Sequence, residues 1–382
     1  MLSYMVAQTI MVLMAGSLAD RFGRKRLYFM GLVIFTIVSF LSGFLHDATW
    51  LIVFRAFQGI GGAMVMATST AIVADAIPKR ELGRALGINV MVVAVGQIIG
   101  PVLGGWLTTY FGWQWTFWFN VPFGVAAVLW AIWAMGFQDL NVVGMRKKID
   151  NWGNVTYLLG VTGFLLVCTW GPIQTWNSPV VWVSLVIFVI CAPIFFIVER
   201  KHKTPLLHLP LFSNRIFSLG ILSATLNAVA RMAILFLLIF YFTPYWELAL
   251  WMVIAGVGSG LFNSPNSSSL MNATGQKFRG EASGIRALAT NMGMMLSIAF
   301  IMPLLANSIP HEEMLAIFSG TVVGINGATD SSLQGFINGL HMVFWVMAVL
   351  MLLATVISSL RSSVKDKTLG PQIPQPISSK GV

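Results

Sequence analysis

The chain has 382 residues, of which 57% are apolar and only 9% are charged. Soluble proteins carry about a quarter of their residues charged, so this composition excludes a soluble globular protein. The net charge of +10 does not indicate a nucleic-acid partner either, because the basic residues are spread over alternate loops instead of one face.

Apolar segments of about 20 residues, the length that crosses the hydrocarbon core of a bilayer as a helix, recur along the whole chain. We predict eleven of these spans, near residues 2–19, 28–46, 50–73, 86–109, 117–136, 153–171, 179–198, 217–242, 246–271, 286–306 and 336–359. The predicted fold class is an all-α polytopic membrane protein, and the lipid bilayer is its expected partner.

The loops between the spans alternate in charge. Of the 23 basic residues, 21 lie in every second loop or in the tail, and the loops between them carry none. We place Arg286 in one of these basic loops, together with Lys277 and Arg279. The positive-inside rule makes the basic loops cytoplasmic, so we expect the C-terminus inside and the N-terminus outside. Arg55 and Arg231 are the two basic residues that fall inside spans.

The loop between the first two spans holds the first motif, Gly16-Ser-Leu-Ala-Asp20-Arg-Phe-Gly23-Arg24-Lys25-Arg26. Gly23 allows a tight reversal of the chain, and the basic residues anchor the loop at the membrane surface. Asp20 can bind the exposed N–H groups at the N-terminus of a neighbouring helix. This spacing of Gly16, Asp20, Arg21, Gly23, Arg24 and Lys25 resembles motif A, the signature loop of the major facilitator superfamily.

The third span contains Arg55-Ala-Phe-Gln58-Gly59-Ile-Gly61-Gly62, which resembles motif B of the same superfamily. Arg55 lies about 8 Å below the outer surface, some five residues into the helix. A central intramembrane arginine is unfavourable by about 2.5–3.5 kcal/mol. We therefore interpret Arg55 as functional, tuning the proton affinity of a carboxylate. The alternative is an arginine that extends to the lipid headgroups.

The fourth span contains Gly96-Gln-Ile-Ile-Gly100-Pro101-Val-Leu-Gly104-Gly105. The glycines at positions 96, 100 and 104 share one helical face, where another helix can approach closely. Pro101 removes a backbone hydrogen bond and should kink the helix. Taken alone, this is a packing motif. In register with the two motifs before it, the segment resembles motif C, the antiporter signature of the superfamily, and implies export.

Later segments fit one branch of that superfamily, the fourteen-helix drug:proton antiporters. The segment 113–122 resembles the start of the sixth helix in that branch, and residues of the second half fit the same branch. The further candidate positions are Asn120, Pro122, Arg231, Asn263, Pro265 and Gly284.

An internal repeat relates the two halves of the chain. Residues 59–96 and 256–293 align without gaps at an offset of 197 residues. The matching pairs include Gly59 with Gly256, Gly83 with Gly280, Gly87 with Gly284, and Gly96 with Gly293. Two homologous halves explain this register. Against a six-helix design for each half, the N-terminal half lacks its first helix and the C-terminal half lacks two, near residues 242–245.

The predicted organisation has four parts. They are an N-terminal bundle at 1–136, two linker helices at 137–213, a C-terminal bundle at 214–360 and a disordered cytoplasmic tail at 361–382. Cys168 and Cys191 lie within spans, so we expect no disulfide framework.

Proton coupling needs a carboxylate inside the membrane, and no span carries one near its centre. Asp75 and Glu247 lie at the ends of spans. In the resembled family the acidic signature lies on the first helix, which is the helix that the repeat predicts to be missing.

The resemblance covers nearly the whole chain apart from its tail. It implies two bundles around a central cavity, and export of amphipathic or cationic small molecules by alternating access. Inward proton flow would supply the energy, so protons are expected partners, and no cofactor, metal or enzymatic activity is expected. Asp20 would latch the bundles together near Gly284. We expect a monomer in the cell (plasma or inner) membrane.

Two alternatives stay open at this point. The chain is a truncated remnant that inserts but transports nothing, or it exports a lipid or a metabolite instead of a drug.

Overall fold

The computed structural model describes residues 2–78, 80–135, 151–174, 176–201, 207–238, 245–274, 278–306 and 330–360. The predicted tail at 361–382 and most of the junction near 242–245 lie outside the described residues.

The described residues form twelve α-helices and a short 3₁₀ helix, Leu209–Ser213. The α-helices are α1 (Leu2–Phe22), α2 (Arg24–Ser42), α3 (Ala48–Ala76), α4 (Leu82–Phe111), α5 (Trp115–Trp118), α6 (Asn120–Met135), α7 (Asn151–Gln174), α8 (Pro179–Lys201), α9 (Arg215–Leu238), α10 (Tyr245–Ala273), α11 (Arg279–Ala306) and α12 (Asp330–Ser359). Each predicted span coincides with one helix, except that the span at 117–136 corresponds to α5 and α6 together.

Length and hydropathy support membrane insertion. Within the described ranges, eight helical segments are long and apolar enough to cross a bilayer. The outer surface is apolar as well, since Trp133 is 82% exposed and Trp345 is 74% exposed. Lipid, not water, suits such a surface. The predicted all-α polytopic fold is therefore confirmed.

Helix boundaries follow from local chemistry. Gly23 separates α1 from α2 with a φ of 97°, a left-handed conformation that favours glycine. Asp47 caps α3 because its carboxylate accepts a hydrogen bond from the backbone N–H of Thr49 at 2.7 Å. Gly112 ends α4 with a φ of 93°.

Polar side chains inside the helices bond to their own backbone. The hydroxyl groups of Thr36, Ser39 and Ser42 each donate to the carbonyl oxygen four residues earlier, all at 2.7 Å. In lipid these groups have no water to bond with, so the intrahelical bond lets α2 carry hydroxyls within the membrane.

The helices form two bundles and a linker pair. On the N-terminal side, α1 and α2 pack on α3, and α6 packs on α2; on the C-terminal side, α10, α11 and α12 pack around α9. The linker helices α7 and α8 pack on each other, and α7 also contacts α11. The bundles meet where α1 and α3 contact α11 and where α4 contacts α10. This last set of contacts positions the candidate site.

Candidate transport pathway

The loop motif between α1 and α2 docks onto the N-terminus of α11. The carboxylate of Asp20 accepts hydrogen bonds from the backbone N–H groups of Gly280 at 3.2 Å and Glu281 at 2.8 Å. Arg24 donates to the same carboxylate, with Nη2 at 2.7 Å from Oδ1. The free N–H groups and the dipole of a helix N-terminus favour a carboxylate here. Asp20 thus joins the two bundles one helical turn before Gly284.

Asp75 and Arg279 extend this contact. Arg24 pairs with Asp75 at the end of α3, and Arg279 Nη1 lies 2.9 Å from Asp75 Oδ1 and donates to the carbonyl oxygen of Ala74 at 2.7 Å. We call Asp20, Arg24, Asp75 and Arg279 the latch. Motif A predicts Asp20 and Arg24 as functional residues, but no pattern in the sequence pairs Asp75 with Arg279, because they lie 204 residues apart.

Gly16 and Gly284 let α1 and α11 cross closely. A Cβ atom at Gly16 would lie 2.8 Å from the carbonyl oxygen of Gly280 and 3.1 Å from the Cα atom of Gly284. A Cβ atom at Gly284 would lie 3.0 Å from the carbonyl oxygen of Val12. The crossing therefore requires glycine at both positions. Of the remaining motif residues, Arg21 and Lys25 flank the turn at Gly23.

Arg55 of motif B contacts the protein interior. Its Nη1 atom donates to Oε1 of Gln58 at 3.0 Å, and its guanidinium carbon lies 4.3 Å from the ring centroid of Phe117, a cation–π contact. Gln58, only 1% exposed, donates in turn to the hydroxyl of Ser39 at 2.6 Å. Arg55 thus joins α3 to α5, and Gln58 joins α3 to α2. Arg55 does not line the cavity described below.

The glycines of motif B pack α3 against α1. A Cβ atom at Gly59 would lie 3.2 Å from the Cβ atom of Ala7, and one at Gly62 would lie 2.8 Å from the hydroxyl of Tyr4. These positions set the distance between two helices of the same bundle.

The glycine face of α4 is open. A Cβ atom added at Gly96, Gly100, Gly104 or Gly105 would meet no atom of the described residues within 4 Å. The predicted close approach of another helix to this face is therefore wrong for the described part of the chain. The reason is that α10 contacts α4 nearer its start, where Ser264 donates to the carbonyl oxygen of Gly83 at 2.9 Å. The backbone of α4 stays helical through Pro101.

A cavity of about 180 Å³ lies between the bundles. The first α11 residue in its lining, Ser283, lies two positions after Glu281, which bonds to Asp20. The cavity is therefore next to the latch, on its membrane side. The lining comes from α3, α4, α9, α10 and α11. These helices belong to both bundles, so the cavity sits at the bundle interface.

The lining follows the internal repeat. Six pairs of lining residues are separated by the repeat offset of 197 residues, which places the cavity on the pseudo-twofold axis between the halves. The pairs are Met66 with Asn263, Thr70 with Ser267, Leu86 with Ser283, Asn89 with Arg286, Val90 with Ala287 and Val93 with Thr290. Asn263 was a predicted candidate. The other pairs were not predicted, because the offset relates equivalent residues but does not indicate which of them line a cavity.

The predicted position of Arg286 is wrong. We predicted it in a cytoplasmic loop, but it lies in the second turn of α11 and lines the cavity. The apolar span was predicted to start at residue 286, whereas α11 starts seven residues earlier because its first turns face protein, not lipid. Arg231 of α9 lines the same cavity. Among the described residues that form this lining, none is Asp or Glu.

Hydroxyl and amide groups complete the polar surface. The hydroxyls of Thr70 and Ser283 bond to each other across the interface between α3 and α11. Asn263 donates to the carbonyl oxygen and to the hydroxyl of Ser259, both at 3.0 Å. The first bond joins α3 to α11, and the other two fix the side chain of Asn263 in the cavity wall.

A second, apolar cavity of about 380 Å³ lies on the opposite face of α11. Its walls include Phe164 of α7, Phe195 of α8, and Leu288 and Met292 of α11. One helix thus separates a polar space from an apolar one, with Arg286 and Thr290 on the polar side.

The remaining candidates have structural roles. Asn120 donates to the carbonyl oxygen of Thr116 at 2.9 Å and links α5 to α6. Pro122 lies in the first turn of α6, where the missing N–H is tolerated. Pro265 lies inside α10, next to Asn266, whose amide donates to the carbonyl oxygen of Gly220 at 3.2 Å.

Residues 1–239 match the family described as the Major Facilitator Superfamily. The chain belongs to the major facilitator superfamily. Fold comparison agrees, since the human organic anion transporter MFSD10 aligns over 94% of this chain and 82% of its own, with a TM-score of 0.50 and 15% identity. The two-bundle architecture of the described residues is that of this superfamily.

Curated relatives within the superfamily differ in cargo. The riboflavin transporter RibZ of Clostridioides difficile is 28% identical over 375 residues, covering 81% of this chain and 80% of its own. The multidrug transporter protein MdtP of Bacillus subtilis is 34% identical over 220 residues, covering 56% of this chain and 40% of its own. The multidrug export protein EmrB of Haemophilus influenzae is 32% identical over 251 residues, covering 64% and 49%. The matched region thus spans less than half of the two multidrug proteins.

Proposed function

We propose that this major facilitator protein exports small amphipathic molecules across the cell membrane by alternating access, in exchange for protons. One observation carries the proposal. A cavity built from equivalent residues of two repeated halves lies directly behind a charged contact between those halves. Rocking the bundles about such a site exposes it to one side of the membrane and then the other.

The latch would act as the cytoplasmic gate. Its bonds join α1, α2 and α3 to the start of α11, and the basic loops at this end support a cytoplasmic location for it and for the C-terminus. Breaking the Asp20 contact would release α11 from α1 and open the cavity toward the cytoplasm. In this scheme the latch changes the rate of the cycle and contributes nothing to cargo recognition.

The test uses inverted membrane vesicles from a bacterial host that lacks its own efflux pumps. Respiration acidifies their interior, and the protein should then accumulate an amphipathic fluorescent dye there. Asp20→Asn should slow accumulation about tenfold, because hydrogen bonds to an ionised group are worth about 1.5–3 kcal/mol. Failure of the wild-type chain to move any dye would contradict export, and accumulation that survives an uncoupler would contradict proton exchange.

Asp47→Asn is the matched control. Asp47 is exposed and caps α3 at the opposite end of the helix from the latch, and asparagine caps a helix equally well. This variant should transport at the wild-type rate. Equal slowing by both substitutions would mean that the effect of Asp20→Asn is not specific to the latch.

A metabolite exporter is the second candidate, and the match to a riboflavin transporter over 81% of the chain favours it. Competition separates the two. Excess riboflavin in the same vesicle assay should leave dye accumulation unchanged if amphipathic drugs are the cargo, and should suppress it if a flavin-like metabolite is.

A non-transporting remnant is the third candidate. The glycine face of α4 motivates it, because none of the described residues packs against Gly96, Gly100, Gly104 or Gly105. Gradient-dependent dye movement by this chain alone would exclude it.

A further inference from the structure

We propose that the cavity between the bundles binds the anionic group of an amphipathic substrate, such as a carboxylate on an aromatic body, with Arg286 as its principal ligand. The inference rests on the proposed transport function and names the charge of the cargo. It is opposite to the cationic cargo that the sequence motifs imply.

The charge of the lining is the first observation. Arg286 lines the cavity, and none of the described residues that form its lining is Asp or Glu. At the bundle interface, Asp20 and Asp75 already bond to Arg24 and Arg279, and the carboxylate of Glu281 accepts a hydrogen bond from the backbone N–H of His208. The guanidinium of Arg286 therefore attracts an anion to this space and disfavours a cation.

The bonding of Arg286 is the second observation. Its Nε atom is buried and has no hydrogen-bond partner in the described structure. The nearest hydroxyls on the same helix face are committed elsewhere, since Ser283 bonds to Thr70 and Thr290 donates to the carbonyl oxygen of Arg286. A buried donor without a partner is unfavourable. An oxyanion would satisfy it with the charge-assisted geometry that a guanidinium prefers.

The difference between the two halves is the third observation. At four of the six equivalent pairs, the C-terminal bundle presents the more polar side chain: Asn263 is equivalent to Met66, Ser283 to Leu86, Arg286 to Asn89 and Thr290 to Val93. The cavity therefore has a polar, cationic wall and a more apolar wall. A molecule with an anionic end and an apolar body matches both walls at once.

The experiment measures binding by isothermal titration calorimetry with the purified full chain in detergent. The probes are 2-naphthoate, 2-naphthamide and 2-naphthylmethylammonium, which share one aromatic body and differ in charge. We expect the wild-type chain to bind 2-naphthoate at least about tenfold more tightly than 2-naphthamide, and the ammonium probe least tightly. Equal affinity for the anion and the amide, or preference for the cation, would overturn the proposal without any variant.

Variants locate the preference. Arg286→Gln should lower affinity for 2-naphthoate about tenfold and leave affinity for 2-naphthamide unchanged, and Arg286→Lys should retain part of the preference because the charge remains. Arg84→Gln is the matched control, since Arg84 is an exposed residue of α4 outside the cavity. An unchanged preference in Arg286→Gln would overturn the assignment.

Binding and transport fail separately. The titration needs no proton gradient, so a chain that binds 2-naphthoate selectively but moves nothing in vesicles would contradict the exporter and leave the anion site standing. A chain that moves dye but shows no preference for the anion would support the exporter and contradict the anion site.

Discussion

Helices α4 and α11 are the same element of the repeat, yet the structure surrounds them differently. Both carry glycines at three equivalent positions. On α11, a Cβ atom at Gly293 would lie 2.7 Å from the carbonyl oxygen of Thr225, and Gly280 and Gly284 lie against Asp20 and Val12. On α4, a Cβ atom would meet nothing described within 4 Å at Gly83 or Gly96, and only Ser264 at Gly87.

The comparison shows what a glycine pattern specifies. Glycines permit close approach of a second helix, but the approach itself needs a partner. On α11 the partners are α1, which contacts Gly284, and α9, which contacts Gly293. By the repeat, the helices that would cover α4 are an equivalent of α9 in the N-terminal half and an equivalent of α1 in the C-terminal half. Both belong to the set that the sequence predicts to be missing.

The largest expected effect comes from leucine at the paired glycines. Gly293→Leu would force a side chain into the backbone of α9, so we expect the protein to lose about 3 kcal/mol of stability or to fail to fold. Gly96→Leu, at the equivalent position of α4, should keep the wild-type melting temperature or raise it, because leucine favours a helix more than glycine does. Fluorescence-detected size-exclusion after heating in detergent measures both. Equal losses would mean that a helix covers α4 after all.

Asp75→Asn should have a smaller effect. The equivalent position on α10 is already Asn272, so this change makes the ends of α3 and α10 alike. It weakens the contacts to Arg24 and Arg279 but leaves Asp20 in place. Because the Asp75 side chain is 30% exposed, we expect a loss of only about 1 kcal/mol. Glu81→Gln, an exposed residue whose side chain makes no capping bond, is the control, and an equal loss there would refute the ion pairs as the cause.

The smallest expected effect is a difference in stability between alanine substitutions at two equivalent hydroxyl residues, Thr70 and Ser267. Thr70 bonds across the interface to Ser283 on α11, whereas Ser267 donates to the carbonyl oxygen of Asn263 on its own helix. Thr70→Ala should therefore lower the stability by about 0.6–1 kcal/mol, and Ser267→Ala by less. The same melting assay compares them. A larger loss in Ser267→Ala would contradict the interhelical bond as the stabilising contact.

Much of the fold was predictable from the sequence because membrane insertion is a local property. A segment of about 20 apolar residues must become a helix in lipid, so all the predicted spans coincide with observed helices. Their ends were less predictable. The charge of Arg286 predicts a loop residue, but α11 packs its first turns against α1 and α3, where a charged residue needs neither water nor headgroups.

The candidate site was only partly predictable. Motif A pointed to Asp20 and Arg24 through their spacing. Asp75 and Arg279 had no such signal, since a single ion pair between distant segments leaves no pattern in one sequence.

By itself, the sequence determined the order and helical state of the apolar segments and revealed the internal repeat. Hydrophobic length and a constant offset are properties of the chain alone. Only the tertiary structure decided which glycine faces are covered and which charges face each other. Those outcomes depend on contacts between helices hundreds of residues apart, such as Asp20 with Glu281. Equivalent residues like Asn89 and Arg286 therefore meet at one cavity that no local pattern describes.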